Sequence, residues 1–311
     1  MPVAADPSLA PEPFWGPPTG NIDFCEEAYQ VSLYINEFWN TVSNLGYIAL
    51  AAYGIICTSR LGLERRFYLC HLALMLVGFG SSAFHATLRT QEQMYDEVPM
   101  ILGSAFILYS ILSMKTPRGQ TNWGYIVILT AVCSGLMVNY FMVDNAIVFQ
   151  VSYGALVVLI QVLGMRTIMY LEDVTGNPEA AAHFEKCKDA AKSLFIRAIF
   201  TYVLGYGLWN IDMNFCDHLI AIREKVGLPF SALFQFHLWW HLLTGLGTYS
   251  CTTILQYVRD LALNGSNHQY DIKQFGPGIL YLAPRTPQLP PKINGHINGS
   301  YAQSNGKAKS H

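Results

Sequence analysis

Seven apolar stretches, each close to the ~20 residues a helix needs to cross a bilayer, leave this chain one kind of architecture. They run over residues 40–58, 67–86, 97–114, 123–143, 146–170, 195–215 and 231–257. A segment in lipid must satisfy its own backbone hydrogen bonds, so each stretch reads as a helix. The expected fold is all-α: a polytopic membrane protein whose seven-transmembrane-helix bundle fills residues 39–258. Composition agrees, because only 13% of the 311 residues are charged, against about 25% in a soluble domain. The net charge of −2 offers no basis for binding nucleic acid. No internal repeat is visible, which counts against a transporter built from repeated helix units.

Basic residues set the orientation. With the N-terminus non-cytosolic, only Arg89, Arg223 and Lys225 of the 19 Lys and Arg fall on the non-cytosolic side. Arg60, Arg65 and Arg66, in the short first loop, are the firmest witnesses. Residues 1–38 carry acids but no Lys or Arg and form a non-cytosolic segment. They lack a basic region followed by an apolar one, so no cleavable signal peptide is expected. Residues 171–194, with alternating charge and many Ala, should form a short cytosolic helix. Residues 259–311 are polar and rich in Pro, Gly, Asn and Ser, the composition of a disordered cytosolic tail. Its sequons at Asn264 and Asn298 should stay unused there. The last residues, Lys307-Ala-Lys309-Ser-His311, resemble a di-lysine retrieval signal read by coat-protein machinery. They point to the endoplasmic reticulum membrane, with the Golgi as the alternative.

Histidines lie within this apolar framework. His237 and His241 form an HxxxH pair, and His85 closes the run Gly80-Ser-Ser-Ala-Phe-His85. Residues four apart share a helix face. A third imidazole from a neighbouring helix leaves one tetrahedral position open, the arrangement of a catalytic zinc. Polar groups at membrane depth are costly and are functional candidates for that reason. The alternation of the spans brings His85, Asp96, Trp209-Asn-Ile-Asp212 and the HxxxH pair to one membrane level. Ser81 shares the His85 face and could aim its hydroxyl at a substrate carbonyl. Asp96 could take a proton from water whose pKa zinc lowers toward ~7. Asp212 reads as a carboxylate that orients an imidazole from behind, or as a polar residue at a helix end. Together these residues suit metal-assisted hydrolysis of an acyl bond, with water from the aqueous side and substrate from lipid. Plainer readings stand beside this one. Asp96-Glu97-Val-Pro99 also suits a helix start, and Ser81 could pack as a small residue beside Gly78 and Gly80. His71, His183, His218, His268, His296 and His311 show no such companions and receive no function.

A second constellation, Asp23, Glu26 and Glu27 with Glu37 downstream, suits calcium or a solvated acidic segment. Cys25 and Cys216 both fall on the non-cytosolic side, where either a bridge or two free thiols are allowed. Cys57, Cys70, Cys133 and Cys251 lie in or near apolar helices as packing residues.

Five motifs occur in order: Phe38-Trp-Asn-Thr-Val-Ser-Asn44, Gly80-Ser-Ser-Ala-Phe-His85, Asp96-Glu-Val-Pro-Met100, Trp209-Asn-Ile-Asp212 and Gln235-Phe-His-Leu-Trp-Trp-His241-Leu-Leu-Thr-Gly-Leu-Gly247. Over about residues 14–257 the chain resembles the alkaline ceramidases. The resemblance implies an intramembrane zinc amidase that cleaves ceramide into a fatty acid and a sphingoid base. It implies zinc on His85, His237 and His241, proton transfer by Asp96 and oxyanion stabilisation by Ser81. It also implies a calcium site at Asp23, the Phe24 carbonyl, Glu26, Ala28 and Glu37, and a Cys25–Cys216 disulfide. Ala28 departs from the family pattern, because it has no side-chain ligand where one such as Asn is expected. The runner-up is a seven-helix zinc-containing receptor resembling the adiponectin and progestin receptor group, which is expected to have a cytosolic N-terminus, against the charge bias here.

Overall fold

The computed structural model describes residues 14–143, 146–276 and 278–285. The retrieval motif at Lys307 and Lys309 and the sequon at Asn298 lie outside them. The first span, Phe38–Arg60, consists of α1 (Phe38–Ser43) and α2 (Leu45–Arg60), which meet at Asn44. It is followed by α3 (Arg65–Thr87), α4 (Thr90–Leu112), α5 (Trp123–Met142) and α6 (Ala146–Met169). Then come α7 (Pro178–Asn214), the short α8 (Cys216–Val226) and α9 (Phe236–Asn264). Among the described residues six spans, from the first through α7, are long and apolar enough to cross a membrane. The protein is an all-α, multi-pass membrane protein.

The last long helix differs from these six. α9 has 29 residues, which is long enough for a crossing, but it is not among the six apolar ones. Its surroundings explain this. Nineteen of its residues are buried, against α7, α2, α3, α1 and the chain that follows. A helix surrounded by protein can carry His, Thr and Gln that lipid would penalise. α5 is the opposite case: it buries none of its residues and is apolar nearly throughout.

Three expectations need correction. The predicted cytosolic helix at 171–194 is not separate, since α7 runs unbroken for 37 residues. At 1.5 Å per residue it is about 55 Å long, well beyond a ~30 Å hydrocarbon core. Asn177 accepts from Glu179 N to cap it, with Pro178 in the first turn, and no further Pro occurs within it. α4 starts at Thr90 rather than at Asp96, and Pro99 lies inside it. Its polar first turns pack on the N-terminal segment, where Gln93 Nε2 donates to Asn21 Oδ1 at 2.6 Å. The polar tail expected from 259 onward is folded as far as 285. α9 continues to Asn264, and β1 (Tyr270–Phe275) pairs antiparallel with β2 (Ile279–Pro284), Ile272 opposite Leu282. Leu280 and Leu282 point inward, and Tyr249 Oη donates to Leu280 O at 2.5 Å. That two-residue period is short and surrounded by polar sequence, so composition hid it.

A buried polar clasp closes the β-hairpin end of the bundle. Glu64, between α2 and α3, accepts from Arg259 Nε at 2.8 Å and Nη2 at 2.9 Å. Arg259 also donates to the Ser113 and Met114 carbonyls beyond α4. Asp260 accepts from the backbone N–H groups of Gln269 and Tyr270, fixing the start of β1.

Candidate metal centre

At the other end of the bundle, α3 reverses into α4. Leu88 adopts a left-handed conformation that ends α3, and its carbonyl accepts from Thr19 and Gly20. The two helices meet at Gly80, where a Cβ would lie 1.8 Å from Tyr95 O and 2.8 Å from Asp96 N. Only a residue without a side chain allows that approach. It brings Ser81 and His85 on α3 beside Asp96 on α4, and Ser81 and Asp96 line one cavity.

The first turns of α9 face this corner. The ligating nitrogens of His85, His237 and His241 all lie within 4.8 Å of one another, and all three side chains are buried. His85 Nδ1 is 2.6 Å from Glu37 Oε2. His241 Nδ1 is 2.7 Å from Ser43 Oγ, and its Nε2 is 3.5 Å from Ser81 Oγ. His85 Nε2 and His237 Nδ1 are buried without any hydrogen-bond partner. Burying an unpaired polar nitrogen is costly, and both belong to the group whose donors converge. Three neutral imidazoles, two held from behind by hydrogen bonds, are the donor set of a three-histidine metal site. The cluster can hold a metal ion.

Asp212 takes a different role from the one expected. Its Oδ1 accepts from His237 N at 3.3 Å and its Oδ2 from Cys25 N at 3.1 Å. It touches backbone N–H groups and no imidazole. It braces the start of α9, where those N–H groups lack partners within the helix. The imidazoles are held instead by Glu37 and Ser43. Ser43 was overlooked although it lies within the Phe38–Asn44 motif, because only tertiary contact brings it to His241.

The N-terminal segment covers the cluster. The Phe24 ring lies 4.1 Å from His237 and 4.9 Å from His85, centroid to centroid. A Cys25–Cys216 disulfide holds it to the start of α8. Arg223 of α8 donates to Cys25 O at 2.7 Å and pairs with Glu27 at 3.1 Å. The Glu26 carboxylate accepts from Trp39 N at 2.7 Å and Asn40 N at 2.8 Å, capping α1. The carboxylates of Asp23, Glu26 and Glu37 are not gathered as closely as the histidines, yet they feel one another. Burial pushes the Glu37 carboxyl up to about 8, against a hydrogen bond from Asn40, and the Asp212 and Asp23 carboxylates add to the rise. Burial likewise pushes Glu26 up to about 7.

A cavity of about 460 Å³ opens from the histidines between α3, α4, α6, α7 and α9. Ser81, Asp96, His237 and His241 form its polar end, and its walls are mainly apolar and aromatic, Met100, Phe149 and Trp240 among them. The paired hydroxyls of Tyr153 and Tyr202, 2.8 Å apart, interrupt that wall.

A largely apolar cavity that reaches a buried three-histidine cluster, inside a multi-pass bundle, defines a membrane protein with a candidate metal site within its helices. The Ceramidase family model matches residues 16–278, and the chain belongs to the ceramidase family. It is 34% identical over 257 residues to alkaline ceramidase 3 of Mus musculus, covering 83% of this chain and 90% of that one. An alkaline ceramidase of Saccharomyces cerevisiae is 31% identical over 82% of each chain. One from Arabidopsis thaliana is 28% identical over 79% of this chain and 86% of its own.

Proposed function

We propose that the protein hydrolyses the amide bond of ceramide, releasing a fatty acid and a sphingoid base. The observation that carries this reading is the apolar cavity ending at His237 and His241 of the three-histidine cluster, with Ser81 and Asp96, in a chain of the ceramidase family. Zinc suits the three-nitrogen donor set, and when bound it would supply a water of lowered pKa and polarise the scissile carbonyl. Asp96, at the cavity's polar end, accepts the proton of the attacking water and returns it to the departing amine. The Ser81 hydroxyl donates to the carbonyl oxygen as negative charge develops. The apolar walls accept the two hydrocarbon chains. Family membership favours this amidase over the receptor reading.

Calcium is part of the proposal. Asp23, the Phe24 carbonyl, Glu26 and Glu37 would supply the oxygens. Ala28 offers no side-chain oxygen, but Asn36 Oδ1 is buried without a partner, and Asn36 O accepts from Tyr29 N at 2.7 Å. Asn36 can thus supply the ligand that Ala28 lacks. Glu27 is committed to Arg223.

For orientation, the proposal keeps α9 as the seventh span, the N-terminus non-cytosolic and the C-terminus cytosolic, in an endoplasmic reticulum or Golgi membrane. The Cys25–Cys216 bridge supports an oxidising compartment on the N-terminal side. The function is tested by measuring sphingoid-base release from phytoceramide by the purified protein and by its His241→Ala variant. Release by the first alone is expected. No release by either, with metal bound and several ceramides tried, would overturn the reading.

A further inference from the structure

A second cluster of metal-ligating side chains lies at the opposite end of α9. His183 and Cys187 stand one helical turn apart on α7, in the part that extends beyond the apolar span. His268 follows the 3-10 turn Gly265–Asn267 after α9. Read from sequence, His183 and His268 had no companions, and the fold brings them together across more than 80 residues. The three donor atoms lie within 4.8 Å of one another. His183 Nε2 is 3.6 Å from Cys187 Sγ, and His268 Nε2 is 3.8 Å from the same sulfur. A tetrahedral zinc, with Zn–S about 2.3 Å and Zn–N about 2.0–2.1 Å, requires an N···S edge of roughly 3.6 Å. The cluster already has nearly that geometry.

We propose that His183, Cys187 and His268 form a second zinc site, distinct from the three-histidine centre, that fastens α7 to the chain leading into the β-hairpin. Binding displaces the thiol proton to solvent as the S–Zn bond forms. Asp271 Oδ1, 4.0 Å from His268 Nε2 on a half-exposed side chain, is within reach of the fourth position. With Cys187 and Asp271 both anionic, a divalent ion brings the ligand set to neutrality. Arg285 opposes the ion: its Nη1 lies 3.4 Å from His268 Nδ1 while donating to Ser266 O. Soft thiolate with imidazole selects zinc over the hard cations. At the proposed cytosolic end, reducing conditions keep Cys187 free to ligate.

The test uses the full chain in detergent, stripped of metal and reloaded with cobalt(II). A thiolate bound to cobalt gives a near-ultraviolet charge-transfer band. The three-histidine centre has no sulfur and cannot give it. The wild type should show the band and bind a second metal equivalent. Cys187→Ser should lose both while retaining the first equivalent. His183→Gln, a replacement at an exposed position, should weaken the second affinity roughly tenfold or more, and Arg285→Gln should strengthen it. No band in wild type loaded to full occupancy of the three-histidine centre would overturn the proposal. So would a band that survives Cys187→Ser. Should that variant fail to fold, unchanged cobalt affinity in His183→Gln would do the same.

Discussion

Ser43 and Glu37 decide how the histidines face one another, although neither is a candidate metal ligand at the three-histidine cluster. Each fixes the far nitrogen of an imidazole, at 2.7 Å for His241 and 2.6 Å for His85. His237 is held through its backbone N–H, which donates to Asp212. Removing an orienting partner of this kind costs roughly 10–100-fold in metal affinity. Ser43→Ala should therefore lower the affinity of the three-histidine centre by about that factor, read by competition with a chelator of known affinity, while helix content stays unchanged. Ser81→Ala should instead slow turnover with metal content intact, because Ser81 faces the cavity. Loss of metal in that variant would make Ser81 a structural residue. At this scale the three histidines, Ser81 and Asp96 were legible from spacing and membrane level. Ser43 and the role of Asp212 were not, since both depend on which backbone or ring atom a side chain reaches after folding.

Among elements, the contact between α3 and α4 is the narrowest joint in the site. A methyl group at Gly80 would collide with the Tyr95 carbonyl, which is backbone and cannot swing aside. Overpacking typically costs about 1–3 kcal/mol, and here the helices must separate at the level of Ser81 and Asp96. Gly80→Ala should lower thermal stability and activity together. Gly135→Ala on α5, where a Cβ meets nothing within 4 Å, should be neutral or stabilising by up to ~1 kcal/mol. Equal effects at the two positions would remove the packing argument. The apolar elements were largely legible in the sequence, because lipid-facing surfaces such as that of α5 must be apolar. The elements that were misjudged are the ones lipid does not govern: the first turns of α7, the polar start of α4, and a hairpin whose two inward leucines are too few to stand out.

Across the whole molecule, the two ends of the bundle are held by different chemistry. One end has the disulfide and the Phe24 cover. Cys25→Ser should therefore lose activity and melt at a lower temperature, and the wild type should respond in the same way to a reducing agent; an indifferent melting curve would mean the bridge carries no load. The other end depends on the Glu64–Arg259 clasp. Burial alone would raise the Glu64 carboxyl, but the Arg259 hydrogen bond and the charges of Arg66, Arg259 and Arg118 hold it below its ordinary 4.5. Its contribution to stability is therefore complete above pH 4.5 and is lost as pH falls through the lower folded value. Thermal melts across that window should show a decline that Glu64→Gln lacks, and parallel declines in both proteins would exclude the clasp as the cause. The burial of α9 also bears on how the molecule is made. The machinery that threads nascent chains into membranes sorts segments by apolarity, and α9, the last long helix to emerge, falls short of the apolarity the other six possess. Its stable surroundings are the side chains of its neighbours, so it has to join helices already in place. Until it does, His85 lacks His237 and His241 beside it, and the three-histidine cluster does not exist in a half-synthesised chain.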